Sequence, residues 1–315
     1  MPNYQGVWSL SEQYQNASGW PSPPLVALFG GGEATTNVIE RIDMATTGNA
    51  TDFGDLTVAR YSAGGLGSST VAVFGGGFSV TNIIESLAFA TAGNASDFGD
   101  LTQQRQGLAG LSSSTRGVFG GGYAYPSSRN IMDYITIASA GNAIDFGDLT
   151  AIPYNLSACS SSTRGLFAGG QFFTVSPETS GYIDSIEYIT IASTGNATSF
   201  GDLSADVAEL AAGSSPTRAV FGGGYTGAAY SNVIEYVTIA TTGNATDFGD
   251  LTTSRRGIAA ASSSARVVFA GGSDGSQLNT MDYVTIATTG NALDFGDLVT
   301  AKSFMAGASS AHGGL

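Results

Sequence analysis

Gly48-Asn49-Ala50-Thr51-Asp52-Phe53-Gly54-Asp55-Leu56 decides the architecture, because the run Gly-Asn-Ala-x-x-Phe-Gly-Asp-Leu returns at Gly93, Gly141, Gly195, Gly243 and Gly290. Successive copies lie 45 to 54 residues apart. That period is too long for the usual helical solenoids and suits one four-stranded blade of a β-propeller. The 45 glycines, with abundant Thr, Ser, Val, Ile, Phe and Tyr, favour strands and tight turns.

The fifth unit reads as four strands. They run from Val207 to Ser214, from Arg218 to Gly222, from Val233 to Ala240 and from Asp247 to Thr252. The third is apolar on both faces, as expected of a sheet packed between two others. The glycines after Phe221 allow positive φ and close backbone approach. Thr-Gly-Asn between the last two strands marks a turn in which Asn hydrogen-bonds its own backbone.

Distances between landmarks separate scaffold from variation. From the strand-three acid (Glu40, Glu85, Asp133, Glu187, Glu235, Asp282) to the turn Gly is always 8 residues, and from that Gly to Leu is 8 again. From that Leu to the next strand-two Phe is always 18. All length changes fall between the strand-two glycines and the acid, where the separations are 8, 8, 11, 17, 11 and 10.

The pattern resembles the kelch repeat family: Phe-Gly-Gly-Gly at Phe29, Phe74, Phe119 and Phe221, Phe-Ala-Gly-Gly at Phe167 and Phe269, and an acid followed by an aromatic, as in Glu187-Tyr188. It departs in having Phe53 and its counterparts where the family has Trp, and in keeping the Arg after strand four only at Arg60, Arg105 and Arg255, with Lys302 once. The resemblance implies a propeller and no particular activity.

The first unit, from Leu25, has no first strand before it, while Lys302 to Ser310 matches the first-strand pattern of Arg256 to Ser263. The fold expected is therefore all-β: a six-bladed kelch-like β-propeller over 21–315, closed by residues 304–311 completing the N-terminal blade, after an arm at 1–20. In the arm, Ser9-x-x-Glu12 is a capping box for a helical turn or two from Leu10, and Trp8, Tyr14 and Trp20 offer it something to bury.

The formal charge of −14 leaves no basic stripe for phosphates, so nucleic acid is not an expected partner. The opening Met-Pro-Asn-Tyr has no basic start followed by an apolar core, and no apolar stretch reaches membrane-spanning length, so neither secretion by the usual signal nor a membrane is expected. Cys159, the single cysteine, reads as a small buried residue of an inner strand, and His312, the single histidine, as part of a frayed tail. With one His and one Cys there is no ligand set for a copper oxidase, and the Ser-x-Asp-x-Gly-x-Thr-Trp signature of sialidase propellers is missing. No enzymatic activity and no cofactor are expected.

The Asp pairs of the repeat, such as Asp52 and Asp55, raise calcium binding, but a spacing of three on a regular strand sets the side chains on opposite faces. Turn capping and solvent exposure are the reading for them, and pairing with junction arginines the reading for the strand-three acids. The candidate binding residues lie on the connections that grow: Tyr123, Tyr125 and Arg129, then Phe172, Phe173 and Tyr182, then Tyr225 and Tyr230. Exposed aromatics on long loops of a rigid ring suit sugar stacking or protein docking; the alternative is that they fold back over their own blades.

The opening Gly-Val-Trp-Ser-Leu-Ser-Glu-Gln-Tyr-Gln and the repeat Thr-Ile-Ala-Thr-Thr-Gly-Asn-Ala-Thr-Asp-Phe-Gly-Asp-Leu-Thr resemble kelch-like structural proteins of tailed bacteriophages, marine ones especially. That resemblance implies a virion component on the tail or capsid surface, with other virion structural proteins or a host-surface glycan or receptor as partners. The alternatives are a secreted or cell-surface bacterial adhesion propeller and a kelch-type enzyme.

Overall fold

A sheet whose third strand is apolar on both faces must be covered on both, and here the cover is the next sheet. The computed structural model describes residues 25–33, 36–78 and 81–315, so the arm and its capping box lie outside the described residues. The chain forms six four-stranded antiparallel sheets, the blades of a six-bladed β-propeller, and no helix among the described residues. Blade 1 runs outward from Ala306–Ser309 through Val26–Gly30 and Val38–Asp43 to Thr51–Asp55. The C-terminal strand pairs antiparallel with the first, Ala27 opposite Ser309 and Gly30 opposite Ala306, so the ring closes as expected. In blade 5 the first strand starts later than expected, at Ala211, because Val207 and Glu209 bond Ile183 and Asn155 while Ala208 bridges to Tyr225 outside the sheet's first strand.

Each strand-two Phe is fully buried, and the residue after it decides how closely the blades approach. A Cβ added at Gly30 would lie 3.3 Å from the Phe74 ring, and one at Gly120 would lie 2.6 Å from Phe167. In the four blades with Gly after Phe, that glycine is therefore the seat of the next blade's ring, whose burial contributes about 2–3 kcal/mol, and Ala168 and Ala270 take the place in the other two.

The signature string is itself a contact between blades. Gly93 N–H donates to Phe53 O at 2.9 Å, Ala95 N–H to Asp55 O at 2.8 Å, and Asp55 N–H to Asn94 Oδ1 at 3.1 Å. The set repeats around the ring and closes it, with Gly48 N–H on Phe295 O and Asp297 N–H on Asn49 Oδ1. The turn Asn thus accepts from the neighbouring blade and not from its own backbone, a correction that residue-by-residue turn reading could not supply. A Cβ at Gly54 would lie 2.1 Å from Gly93 O, which accounts for the glycine of Phe-Gly-Asp.

A bulge in the outer strand also corrects the reading of the aspartates. Asp52 stands opposite Glu40 and Asp55 opposite Val38, so the two lie on the same face. No group of three or more His, Cys, Asp or Glu suited to a metal occurs among the described residues.

Along the axis the innermost strands meet so closely that a Cβ at Gly65 would strike Gly307 O at 2.3 Å. At one end, backbone N–H groups of Ser62, Gly107, Asn155, Glu209, Gly257 and Phe304 each donate to the carbonyl of the neighbouring blade at 2.7–2.9 Å, a closed circle of six bonds. Six left-handed residues, with φ from 53° to 64°, aim those groups around the ring, and four of them are not glycine. At the other end, serines join the blades: Ser112 Oγ donates to Gly67 O, Ser160 Oγ to Ser112 O, Ser214 Oγ to Ser160 O, and Ser309 Oγ to Ser262 O. Cys159 is buried on its innermost strand, as expected, and burial pushes its thiol up to about 12.

His312 does not fray; it stoppers the serine end of the axis. Its Nδ1 accepts from Gly314 N–H at 3.0 Å, so the neutral ring carries its proton on Nε2, 2.9 Å from Gly67 O. Burial holds its pKa below the ordinary 6.5, against the opposing pull of Gly67 O. The unfolded chain therefore binds this proton more readily, and stability present above 6.5 is lost as pH falls through the lower folded value. In urea titrations from about pH 8 to about pH 5, the wild type should lose more stability than His312→Gln. Parallel profiles for the two proteins would contradict this.

Candidate functional site

The connections that vary in length emerge beside the circle of six backbone bonds, because strand two ends where strand one begins. Blade 3 adds a hairpin of Tyr123–Ala124 with Ser127–Ser128, blade 4 a hairpin of Gln171–Val175 with Glu178–Tyr182, and blade 5 extends its own strands to Tyr225 and Tyr230. The growth in length is therefore extra β-pairing on one face.

Tyr125 is 89% exposed, while Tyr123, Phe172, Phe173, Tyr182, Tyr225 and Tyr230 are half-buried. Of the two readings, free exposure describes Tyr125, and the other rings are partly covered, most of them by one another. Tyr123 packs on Tyr154 at 5.5 Å and on Phe173 at 6.4 Å, and Tyr225 on Tyr182 at 5.9 Å and Tyr230 at 5.6 Å. Phe172 points to the opposite face of its hairpin, over Gly181. Arg129 folds onto its own hairpin, donating to Ser127 Oγ at 2.6 Å, and so is not a free cation.

The structure adds residues that spacing did not single out. Tyr154 completes the first cluster, and the Arg256 guanidinium lies 5.4 Å from the Tyr225 ring and 5.6 Å from Tyr230 while pairing with Glu209 at 3.1 Å. Tyr61, stacked on Phe78 at 4.6 Å and edge-on to Phe304, continues the arc into blade 2. Tyr61, Tyr154 and Arg256 occupy the segment before the innermost strand, which keeps constant length, and Phe78 heads one of the two shortest connections, so spacing gave no signal for any of them. Between blades 2 and 3 a groove of about 180 Å³ is lined by Phe78, Tyr123 and Tyr125 with Gln104 and Gln106.

Burial, then the neighbouring phenols and the Glu209 carboxylate, hold Tyr154 and Tyr182 above the ordinary phenol range. Both hydroxyls therefore remain protonated donors at neutral pH. The axis itself offers little room, with cavities of about 60 and 70 Å³ at its two ends against the several hundred Å³ typical of ligand pockets. The face, with its flat rings, amide side chains and phenol hydroxyls, can stack on an apolar surface and hydrogen-bond to hydroxyl groups.

No protein-family model matches this chain, and no curated protein matches it.

Proposed function

We propose that this chain is a non-enzymatic, kelch-like binding propeller of a tailed-bacteriophage virion, on the tail or capsid surface, docking to another virion protein or to a host-surface glycan. The observation that carries the binding role is the aromatic arc on one face, from Tyr61 and Phe78 through Tyr123, Tyr154 and Phe173 to Tyr182, Tyr225 and Tyr230. A rigid scaffold that holds aromatic rings in position lowers the ordering cost of binding. The virion setting is supported by the resemblance of the repeat string to phage structural proteins.

The test is a variant carrying Tyr125→Ala, Phe173→Ala and Tyr230→Ala, one change in each of blades 3, 4 and 5. Binding to purified virions or to a host-glycan array should weaken at least about tenfold, as aromatic anchors of an interface usually dictate. The melting temperature should change by no more than a few degrees, since these rings lie outside the blade cores. Undiminished binding by a variant that melts much earlier would make the arc a packing feature. Recovery of the protein from the bacterial surface, and not from particles, would favour the cell-surface alternative.

A further inference from the structure

Four blade junctions set a buried cation against a strand-three acid: Arg60 with Glu85, Arg105 with Asp133, Arg255 with Asp282 and Lys302 with Glu40. Arg60 shows what such a junction offers. Its Nη1 donates to Gly76 O and Ile83 O, both at 3.0 Å, and its Nη2 to Phe74 O at 3.4 Å and to the Glu85 carboxylate. At the junction of blades 4 and 5 the repeat supplies the same acceptors as the carbonyls of Gly223, Val233 and Phe221 and the carboxylate of Glu235. The position of Arg60 is taken by Val207, whose side chain ends at Cγ and donates nothing.

Glu235 is 7% exposed and accepts from Ser204 N–H, at 3.0 and 3.4 Å to its two oxygens. No basic side chain of the chain reaches it. All 11 Lys and Arg lie among the described residues. Besides the four in the buried pairs, Arg116, Arg164, Arg218 and Arg266 stack on tyrosines, Arg256 pairs with Glu209, Arg129 bonds its own hairpin, and Arg41 belongs to blade 1. The space left by the missing side chain is a cavity of about 110 Å³ lined by Val207, Phe221, Gly222, Gly223 and Glu235, with the exposed Ser204 and Val233 at its rim. Because the cavity opens at that rim, only the planar guanidinium head needs its interior, and a short stem extends outward past Ser204 and Val233.

The junction of blades 3 and 4 serves as an internal comparison. There Pro153 takes the Arg position, and Glu187 accepts three hydrogen bonds, from Thr150 N–H, Thr150 Oγ1 and Ala151 N–H. That acid is satisfied locally, whereas Glu235 faces open space.

We propose that the cavity between blades 4 and 5 binds a guanidinium group on an alkyl stem, held by the Glu235 carboxylate and the surrounding carbonyls as Arg60 is held at the junction of blades 1 and 2. A planar fork of N–H donors matches a carboxylate flanked by carbonyls, whereas the three donors of an ammonium diverge. The group comes either on a free alkylguanidine or as an arginine of a partner chain. The site is independent of the role of the aromatic arc.

Calorimetric titration of the full chain with ethylguanidinium, well below denaturing concentrations, should show saturable binding, with ethylammonium at least about tenfold weaker. Glu235→Gln should weaken ethylguanidinium at least about tenfold. Val207→Arg, which supplies the group from within, should abolish binding and raise the melting temperature; Val207→Leu, which fills the space without charge, should abolish binding too. A Gly-Arg-Gly peptide that binds at least as tightly as ethylguanidinium assigns the source to a partner's arginine, and its exclusion assigns it to a free small molecule. Absence of saturable binding to the wild type, or undiminished binding to either Val207 variant, overturns the proposal.

Discussion

Removing residues 299–315 will open the ring and abolish its single cooperative melt. The deletion takes away the innermost strand of blade 1, leaving Val26–Gly30 with an unpaired edge, and with it the serine contact from Ser309 to Ser262 O. It also removes Phe304 from the circle of six backbone bonds and Lys302 from buried Glu40. An open apolar strand edge invites pairing with another chain, so the truncated protein should aggregate or melt in a broad, early transition. Differential scanning calorimetry with light scattering measures both. A monomeric truncation melting like the full chain would show that closure contributes nothing to stability.

Arg60→Ala should be the most damaging single substitution tested in a junction. Arg60 and Glu85 are both fully buried, and the guanidinium satisfies three carbonyls as well as the carboxylate. Removing one member of a buried pair strands the other charge and costs about 3–5 kcal/mol. In a domain of this size that corresponds to a fall in melting temperature of roughly 10 °C. Burial holds the Glu85 carboxyl above its ordinary range even beside Arg60, so without the arginine it has still more reason to stay protonated. Arg60→Met combined with Glu85→Gln should recover part of the loss, because the penalty comes from an uncompensated charge. A double variant as unstable as the sum of its parts would mean that the carbonyl contacts, and not the ion pair, hold the junction.

The blades were legible because two periods coincide in the chain: the repeat of Gly-Asn-Ala-x-x-Phe-Gly-Asp-Leu and the alternation within each strand. Closure was legible because one strand is missing before Leu25 and a matching one stands after Lys302. What escaped reading was whatever depends on a neighbour far away in the chain. Asn94 bonds Asp55, 39 residues earlier, so its partner cannot be inferred from turn chemistry. His312 meets Gly67 across 245 residues. For the aromatic arc, loop length marked Tyr123, Phe173, Tyr182, Tyr225 and Tyr230, but Tyr154 and Arg256 sit on segments of constant length and join the cluster only when the blades stand side by side. Pairing of the strand-three acids with junction cations was readable at the four positions that retain Arg or Lys, and the two exceptions are filled by Pro153 and Val207.

The contact in which Gly-Asn-Ala of one blade grips Phe-Gly-Asp of the blade before it has the character of a subunit interface more than of an intrachain turn. Every repeat carries both a plug and its socket, on different surfaces, so the contact is head-to-tail. Such a contact yields an endless filament unless its rotation closes. Here it closes after six copies, with Gly48 and Asn49 seated on Phe295 and Asp297. Viewed this way the molecule is a homohexameric ring whose protomers happen to be joined by peptide bonds, and the joining is what frees individual copies to differ: three of them have grown an aromatic face while the plug and socket stay the same in all six.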